Sequence, residues 1–378
     1  MTEKVVIGMS GGVDSSVAAY LLKKAGYDVI GLFMRNWDST MNKDVLGNPT
    51  INDDMCPQEV DFQDAQAVCD FLNIPLHRVD FIEEYWQNVF MYFLDEYEKG
   101  RTPNPDIMCN KYIKFDAFKK YASKFEPDFI AMGHYARTQT GEDGTVQLLR
   151  GIDNNKDQTY FLSQLKQSQL QETLFPVGDY TKEAIRSMAK EIGLPTATKK
   201  DSTGICFIGE RAFNQFLRNY IPAQPGEIKT LEDDVLGTHQ GLMHYTIGQR
   251  KGLGIGGSNH YGNEPWFVIG KSLETNTLYV GQGFHHEELY STSCTLESVN
   301  LMNEDAFLNT KTLTAKFRYR QKDVPVRVQT IDHGLTVFFD HPVRAVTPGQ
   351  SAVFYDGEVC LGGGIIKHVF KNNRLLNY

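Results

Sequence analysis

Two features of this chain could do chemistry: a serine- and glycine-rich loop near the N-terminus, and two cysteines in turn-rich segments. The loop reads Gly8-Met9-Ser10-Gly11-Gly12-Val13-Asp14-Ser15-Ser16 and continues the apolar run Val5-Val6-Ile7. A buried strand passing through paired glycines into a helix makes a phosphate site. Glycine lets the backbone turn sharply and approach an anion, and the first helical N–H groups with their positive dipole end face it. Ser10, Ser15 and Ser16 add hydroxyl donors. The string is neither GxxxxGK[ST] nor GxGxxG, so neither a P-loop NTPase nor a dinucleotide fold is indicated. The plainer reading is a tight strand-to-helix turn with a serine-rich cap, in which Asp14 is only a first-turn carboxylate favoured by the dipole.

Cys109 closes the segment Arg101-Thr102-Pro103-Asn104-Pro105-Asp106-Ile107-Met108-Cys109-Asn110-Lys111. Two prolines with Asn and Asp predict a rigid loop there, and the nearby Lys111 and the start of a helix would favour a thiolate. Cys206 lies in Asp201-Ser202-Thr203-Gly204-Ile205-Cys206-Phe207-Ile208-Gly209-Glu210, between two glycines. Such a segment can move, as a persulfide carrier must if it collects sulfur outside and delivers it to an enclosed site. Cys69 and Cys360 sit in apolar runs and are predicted core; Cys56 and Cys294 have no supporting pattern. Six cysteines without a CxxC pair argue against a disulfide framework, a zinc ribbon or any resident metal site.

These segments must be held by a folded frame, and 378 residues allow two or three domains. Short β-branched runs at Val5–Met9, Val29–Phe33, Leu76–Phe81 and Asp128–Gly133 alternate with helical patterns at Ser15–Ala25, Phe62–Leu72, Glu84–Glu98 and Ile113–Phe125. That alternation predicts an α/β domain with a parallel sheet. Further helices are expected at Asp157–Leu165, Thr181–Ile192 and Arg211–Tyr220, with the turn-forming Lys199–Gly204 between the last two. After Pro222, Pro225 and Gly226 the chain becomes mainly β, and alternating runs at Thr312–Arg320, Val324–Ile331, Leu335–Phe339 and Ala352–Tyr355 predict a small barrel. The expected division is a catalytic domain over 1–208, a central domain over 209–283 and a C-terminal β-barrel over 284–378. Apolar residues at 41% and charged residues at 22% are ordinary for a globular chain. No unbroken apolar run approaches twenty residues and the N-terminus lacks a signal peptide's core, which points to the cytoplasm and no membrane. The net charge of −9 argues against general nucleic-acid binding but leaves room for one local basic surface.

The string Ser-Gly-Gly-Val-Asp-Ser at 10–15 resembles the pyrophosphate (PP) loop of ATP pyrophosphatases, which attack the α-phosphate of ATP, adenylate a carbonyl oxygen and release pyrophosphate. Together with Pro103–Asp106 before Cys109 and Gly204–Gly209 around Cys206, the chain resembles the bacterial tRNA-specific 2-thiouridylases. The likeness extends through Gly31–Met34, Gly133-His134-Tyr135, Lys156–Tyr160 and Tyr245–Gly252. The resemblance implies a Rossmann-like PP-loop domain and a tRNA-uridine 2-sulfurtransferase. ATP, with Mg2+, would be held by Gly8, Met9, Ser10, Gly11, Gly12, Val13, Asp14 and Ser15, with Met34 and Gly133 around the adenosine and Asp14 a possible assisting carboxylate. Asn104, Pro105 and Asp106 would border the flipped base, and His134, Lys156, Asp157, Gln158, Arg318, Tyr319 and Gln350 would meet tRNA. Cys206 would carry the persulfide, Cys109 would be the nucleophile, and the disulfide left between them would need a thiol reductant. The implied partners are a tRNA with a wobble uridine and a persulfide donor, either a cysteine desulfurase or a sulfur-relay protein.

If Thr312–Lys322 is one strand, Lys316, Arg318, Arg320 and Lys322 share a face at about 7 Å spacing, a comb suited to RNA phosphates. Two other functions fit parts of the sequence. An amide- or amine-forming synthetase would use the same loop but needs no loop cysteines, and a non-catalytic RNA-binding protein would keep the fold without cleaving ATP.

Overall fold

The computed structural model describes residues 2–142, 144–201, 204–256 and 261–376. Ser202 and Thr203, in the turn expected ahead of Cys206, lie outside them. The N-terminal part is built on a five-stranded parallel sheet in the order Leu76–Asp80, Asp28–Arg35, Lys4–Met9, Phe129–Ala131, Thr173–Leu174. Val5, Val6 and Ile7 are wholly buried, as a central parallel strand covered on both faces requires. The order reverses direction at Lys4–Met9, whose neighbours come from earlier and later crossovers. Ligands of open α/β sheets bind at such a switch point, beyond the carboxyl ends of the strands. The Gly11-Gly12 loop leaves the first of these strand ends and Gly133 the second.

The four expected strands form with shifted ends, and a fifth, Thr173–Leu174, is too short for periodicity to reveal. The largest departure is at Pro103–Lys111. Asn104 caps a helix by accepting from the Asp106 amide (3.2 Å), Pro105 takes the first helical position, and helical structure runs on through Ala122. Proline's missing N–H costs nothing there, so the residues that suggested a loop in fact start a helix. Cys109 is therefore a buried helical residue and not a loop exit.

A four-stranded sheet (Trp266–Ser272, Thr277–Gln282, Gly226–Lys229, Val235–His239) forms the middle of the molecule. Beyond it, Tyr290–Leu301 pairs with both Gly334–Arg344 and Val359–Lys371, which closes a barrel and leaves no free edge between them. The hairpin of Ala136–Thr140 and Val146–Arg150 joins this sheet through Val359 and Cys360, so a segment from the first half of the chain is paired into the barrel. The expected strand over 312–322 is cut short: only Thr314–Lys316 is extended, and the chain then turns. Lys316 points inward toward Asp157 (3.8 Å) and Asp323 (3.9 Å). The four-cation comb is not formed, because the alternation that would build it stops after one member.

Candidate active site

Gly11 is the fixed point of the N-terminal loop. Its φ is +70°, and a Cβ there would lie 2.2 Å from the Asp61 carbonyl, so only glycine fits. Gly12 precedes the Val13–Lys24 helix, and its carbonyl accepts from Ser15 (3.1 Å) and Ser16 (2.7 Å) hydroxyls. The Ser10 amide donates to Ser15 Oγ at 3.2 Å, folding the loop back on the helix start. Gly133 abuts it from the next strand: a Cβ would sit 3.0 Å from the Ser15 nitrogen. Gly8 lies against Met132 and Met34, which are buried beneath the loop.

Asp14 is more than a first-turn carboxylate. It accepts from Lys182 Nζ at 2.6 and 2.8 Å and from the Tyr135 hydroxyl at 2.7 Å. Lys182 also meets Asp201 at 2.8 Å, as does Lys156 at 2.9 Å, and Arg186 is a third cation on that carboxylate. Partial burial would raise the Asp201 carboxyl, but the hydrogen bonds from Lys182 and Lys156 hold it well below the usual range. This node ties the phosphate loop to the start of the segment that carries Cys206. No three His, Cys, Asp or Glu side chains among the described residues converge as a metal cage.

The far end of that segment is tied as firmly. Arg211 is bound by the buried Asp44 (Nε to Oδ2, 2.9 Å), and the Phe213–Leu217 helix packs into an aromatic cluster of Trp37, Phe90, Phe216 and Tyr220. Between the anchors, Gly204 (φ +96°) and Gly209 (φ +85°) allow a tight turn, closed by the Gly209 amide donating to the Ile205 carbonyl at 2.8 Å. Tyr85 donates to the Cys206 carbonyl (2.8 Å), Gln58 to the Phe207 carbonyl (2.7 Å), and the Cys206 amide reaches Asp106 Oδ1 at 3.4 Å. The turn thus delivers Cys206 to Cys109, with the sulfurs 3.7 Å apart. Two residues distant by 97 positions meet because the turn is anchored at both ends and its Cys206 amide reaches Asp106 at the start of the cysteine helix.

The pair is electrically asymmetric. Burial first, then the bond to Cys206, pushes the Cys109 thiol well above its ordinary value. That same bond from Cys109 stabilises the Cys206 thiolate, and with Lys114's charge it outweighs burial, so Cys206 sits below the ordinary range. Burial raises the Asp106 carboxyl despite Lys114. Burial, reinforced by Lys114, keeps His134 neutral, and its Nδ1 has no partner among the described residues. Lys111, the expected companion of Cys109, instead donates to Gln164 at 3.2 Å. The lysine whose charge acts on both sulfurs is Lys114, one helical turn farther on.

Gly133 and His134 are consecutive: Gly133 touches the phosphate loop, and the His134 ring lies 5.8 Å from Phe115 on the cysteine helix. One strand end therefore serves both halves of the site. Gln350 donates to the Thr102 carbonyl (2.8 Å), and the Thr102 amide to Pro348 (3.0 Å), fastening the Asn104–Asp106 turn to the barrel. Gln158 accepts from the Tyr135 amide at 2.9 Å. Asp157 is buried and occupied by Thr159, the Gly151 amide and Arg150, so it braces this region from inside. Arg318 donates to the Ile247 carbonyl (2.8 Å) and Thr347 (2.9 Å), and Tyr319 packs on Phe161 at 4.4 Å. Lys114, Lys182, Tyr85 and Gln58 escape sequence reasoning, since each is an ordinary residue made special by a partner far along the chain.

The descriptions of three family models match the chain in order: a tRNA methyl transferase HUP domain over residues 3–210, a tRNA methyl transferase PRC-barrel domain over 214–282 and an aminomethyltransferase beta-barrel domain over 291–366. The chain is 57% identical over 378 residues to the tRNA-specific 2-thiouridylase MnmA of Ligilactobacillus salivarius, covering 99% of this chain and 98% of the relative. It belongs to the tRNA-specific 2-thiouridylase family. The MnmA of Staphylococcus saprophyticus is 56% identical over 376 residues, covering 99% and 98% of the two chains. That of Shewanella putrefaciens is 56% identical over 371 residues, covering 98% and 97%. The family likeness therefore spans the phosphate loop, both cysteines and the barrel.

Proposed function

We propose that the protein is an ATP-dependent tRNA 2-thiouridylase that replaces the C2 oxygen of the wobble uridine with sulfur. The observation that carries this reading is the 3.7 Å approach of Cys109 and Cys206 beside the strand end that also borders the phosphate loop. Persulfide delivery that ends in a disulfide needs two facing thiols.

In this reading the loop from Gly8 to Ser15 binds the ATP phosphates through backbone N–H groups and hydroxyls, with Met34 and Gly133 toward the adenosine. Uridine enters over Asn104-Pro105-Asp106 after leaving the anticodon stack. Its C2 oxygen attacks the α-phosphate, pyrophosphate leaves, and AMP becomes the leaving group on C2. The Cys206 persulfide attacks C2 and expels AMP. The Cys109 thiol then loses its proton as its sulfur attacks Cys206 Sγ and breaks the bond to the transferred sulfur, which stays on the base. A Cys109–Cys206 disulfide forms, and a thiol reductant supplying two electrons returns it to two thiols. Asp106, its carboxyl pushed up by burial, exchanges protons with the thiols and the base in this scheme. His134, Lys156, Arg318, Tyr319 and Gln350 contribute to tRNA binding around this entrance, partly by holding the surface that the RNA meets.

The site fits magnesium poorly as a protein-held ion, because Asp14, the carboxylate at the loop, is engaged by Lys182 and Tyr135. Magnesium would enter with the nucleotide. The reaction belongs to the cytoplasm, where tRNA and the persulfide donor meet. Among the described residues no helix is long and apolar enough to cross a membrane.

The test is mass spectrometry of nucleosides from tRNA incubated with the protein, ATP, magnesium and a persulfide source, alongside Cys109→Ser and Cys206→Ser. New 2-thiouridine with the unaltered protein alone supports the reading. ATP cleavage to AMP and pyrophosphate without a thiolated nucleoside overturns it in favour of a nitrogen-admitting synthetase.

A further inference from the structure

The sulfur pocket contains a cation that the sequence does not advertise. The helix carrying Cys109 is π-helical from Cys109 to Ala117. In an α-helix of 3.6 residues per turn, a residue five positions on points about 140° away. The wider i→i+5 turn of a π-helix brings Lys114 back toward the side that presents Cys109, and such turns concentrate at functional sites. Here the turn has a chemical result. The Lys114 ammonium lies 5.6 Å from the centre of the Phe207 ring, the residue next to Cys206, and its charge favours the Cys206 thiolate.

The other groups facing Cys206 are Cys109, Asp106 and the Tyr85 hydroxyl on its carbonyl; His134 faces Lys114 and is neutral. None of these supplies positive charge. Lys111 is directed to Gln164 and Tyr112 instead. Lys114 itself stays charged, since the two sulfurs and Asp106 outweigh the burial that would neutralise it.

We propose that Lys114 promotes sulfur loading through its charge, favouring the Cys206 thiolate that accepts the persulfide sulfur while Cys109 remains a thiol. This rests on the sulfur-transfer reading above. The step is an exchange with no net redox change. The Cys206 thiolate attacks the outer sulfur of a donor persulfide, a new S–S bond forms, the donor S–S bond breaks, and its electron pair leaves on the donor thiolate. The transferred sulfur ends as a Cys206 persulfide, whose terminal charge Lys114 can again meet. The cation also accounts for the asymmetry of the pair: the charge of Lys114 favours the Cys206 thiolate, and the Cys109 thiol donates to the same sulfur.

The test is peptide-resolved iodoacetamide labelling of Cys206 against pH, in the full chain without ATP or tRNA, with the exposed Cys56 as internal reference. In Lys114→Gln the Cys206 labelling midpoint should rise by at least about one pH unit, lowering its rate near pH 7 roughly tenfold, and Lys114→Arg should restore it to within about threefold. An unchanged midpoint in a Lys114→Gln protein whose thermal unfolding is normal overturns the proposal, and so does failure of Lys114→Arg to restore it. If Lys114→Gln does not fold, Lys114→Met keeps the apolar stem against Phe207 and carries the same test. Because labelling requires no catalysis, a failed nucleoside assay with the unaltered protein would remove the thiouridylase reading without touching this result, and the reverse also holds.

Discussion

Mild oxidation should close a bond between Cys109 and Cys206 in preference to any other pair. Their sulfurs are 3.7 Å apart, so reaching a bonded separation of about 2.0 Å requires closing the gap by under 2 Å. Cys206 is the partner that moves, because its turn is bracketed by Gly204 and Gly209, whereas Cys109 is wholly buried in a helix. The bond would tie positions 97 residues apart. In the chain-entropy account, a loop of about 100 residues stabilises the folded state by about 4.7 kcal/mol, an upper bound that native strain and residual denatured structure reduce to about 2–4. Guanidinium unfolding of oxidised and reduced protein, with non-reducing peptide mapping, checks both parts. The oxidised form should unfold at higher denaturant and yield a single crosslinked peptide joining the two positions. Cys109→Ser and Cys206→Ser should show no oxidation-dependent shift. Equal midpoints for the oxidised and reduced protein, or a crosslink that recruits Cys56, would refute the geometry on which the transfer scheme depends.

Gly133→Ala places a Cβ 3.0 Å from the Ser15 nitrogen and 3.2 Å from the Asp14 carbonyl carbon, so the phosphate loop must shift. Pyrophosphate release should fall at least about tenfold, by the roughly 1.4 kcal/mol that such a factor represents, while Cys206 labelling is unchanged; Gly256→Ala, which meets open space, is the neutral control. His244 is buried with neither ring nitrogen partnered among the described residues, and burial first, then the charges of Arg218 and His239, lowers it to about 4. Since the unfolded chain binds that proton near pH 6.5, the stability is present above 6.5 and lost as pH falls toward 4. The contribution is up to about 3 kcal/mol, so the fall in melting temperature from pH 7 to pH 5 should be smaller in a folded His244→Phe protein. An equal fall in both proteins would remove His244 as the cause. Arg318→Ala should speed amide exchange at 245–249, because the guanidinium bridges Ile247 and Thr347. If exchange is unchanged and only the salt dependence of tRNA affinity falls, Arg318 acts as an RNA contact alone.

The sequence was sufficient wherever the deciding interaction was local. Val5-Val6-Ile7 followed by Ser-Gly-Gly-Val-Asp-Ser specifies a buried strand, a turn and a helix within a dozen residues, and the alternating runs at 324–331 specify a barrel strand that forms with those same ends. The turn residues around Cys109 and Cys206, and then the family resemblance, singled them out, but nothing in their spacing indicates how closely they meet. Their approach comes from ties made across the fold: Asp201 to Lys182, Arg211 to Asp44, Tyr85 and Gln58 to the turn. Asn104-Pro105-Asp106 misled because the same residue types open helices and fill loops, and only the segment that follows decides between them. The basic comb failed because alternation along a sequence becomes a charged face only if the backbone stays extended, which it does not beyond Lys316. Lys114 was invisible for a related reason. Its nearness to Cys206 depends on a π-helical turn and on a cysteine that arrives from 92 positions away, and ordinary helical spacing would have pointed it elsewhere. Local sequence thus determined the strand, the loop and the residue types available for chemistry. Tertiary structure alone decided which thiol of the pair ionises more readily, because that depends on the burial and charge that distant segments bring to it.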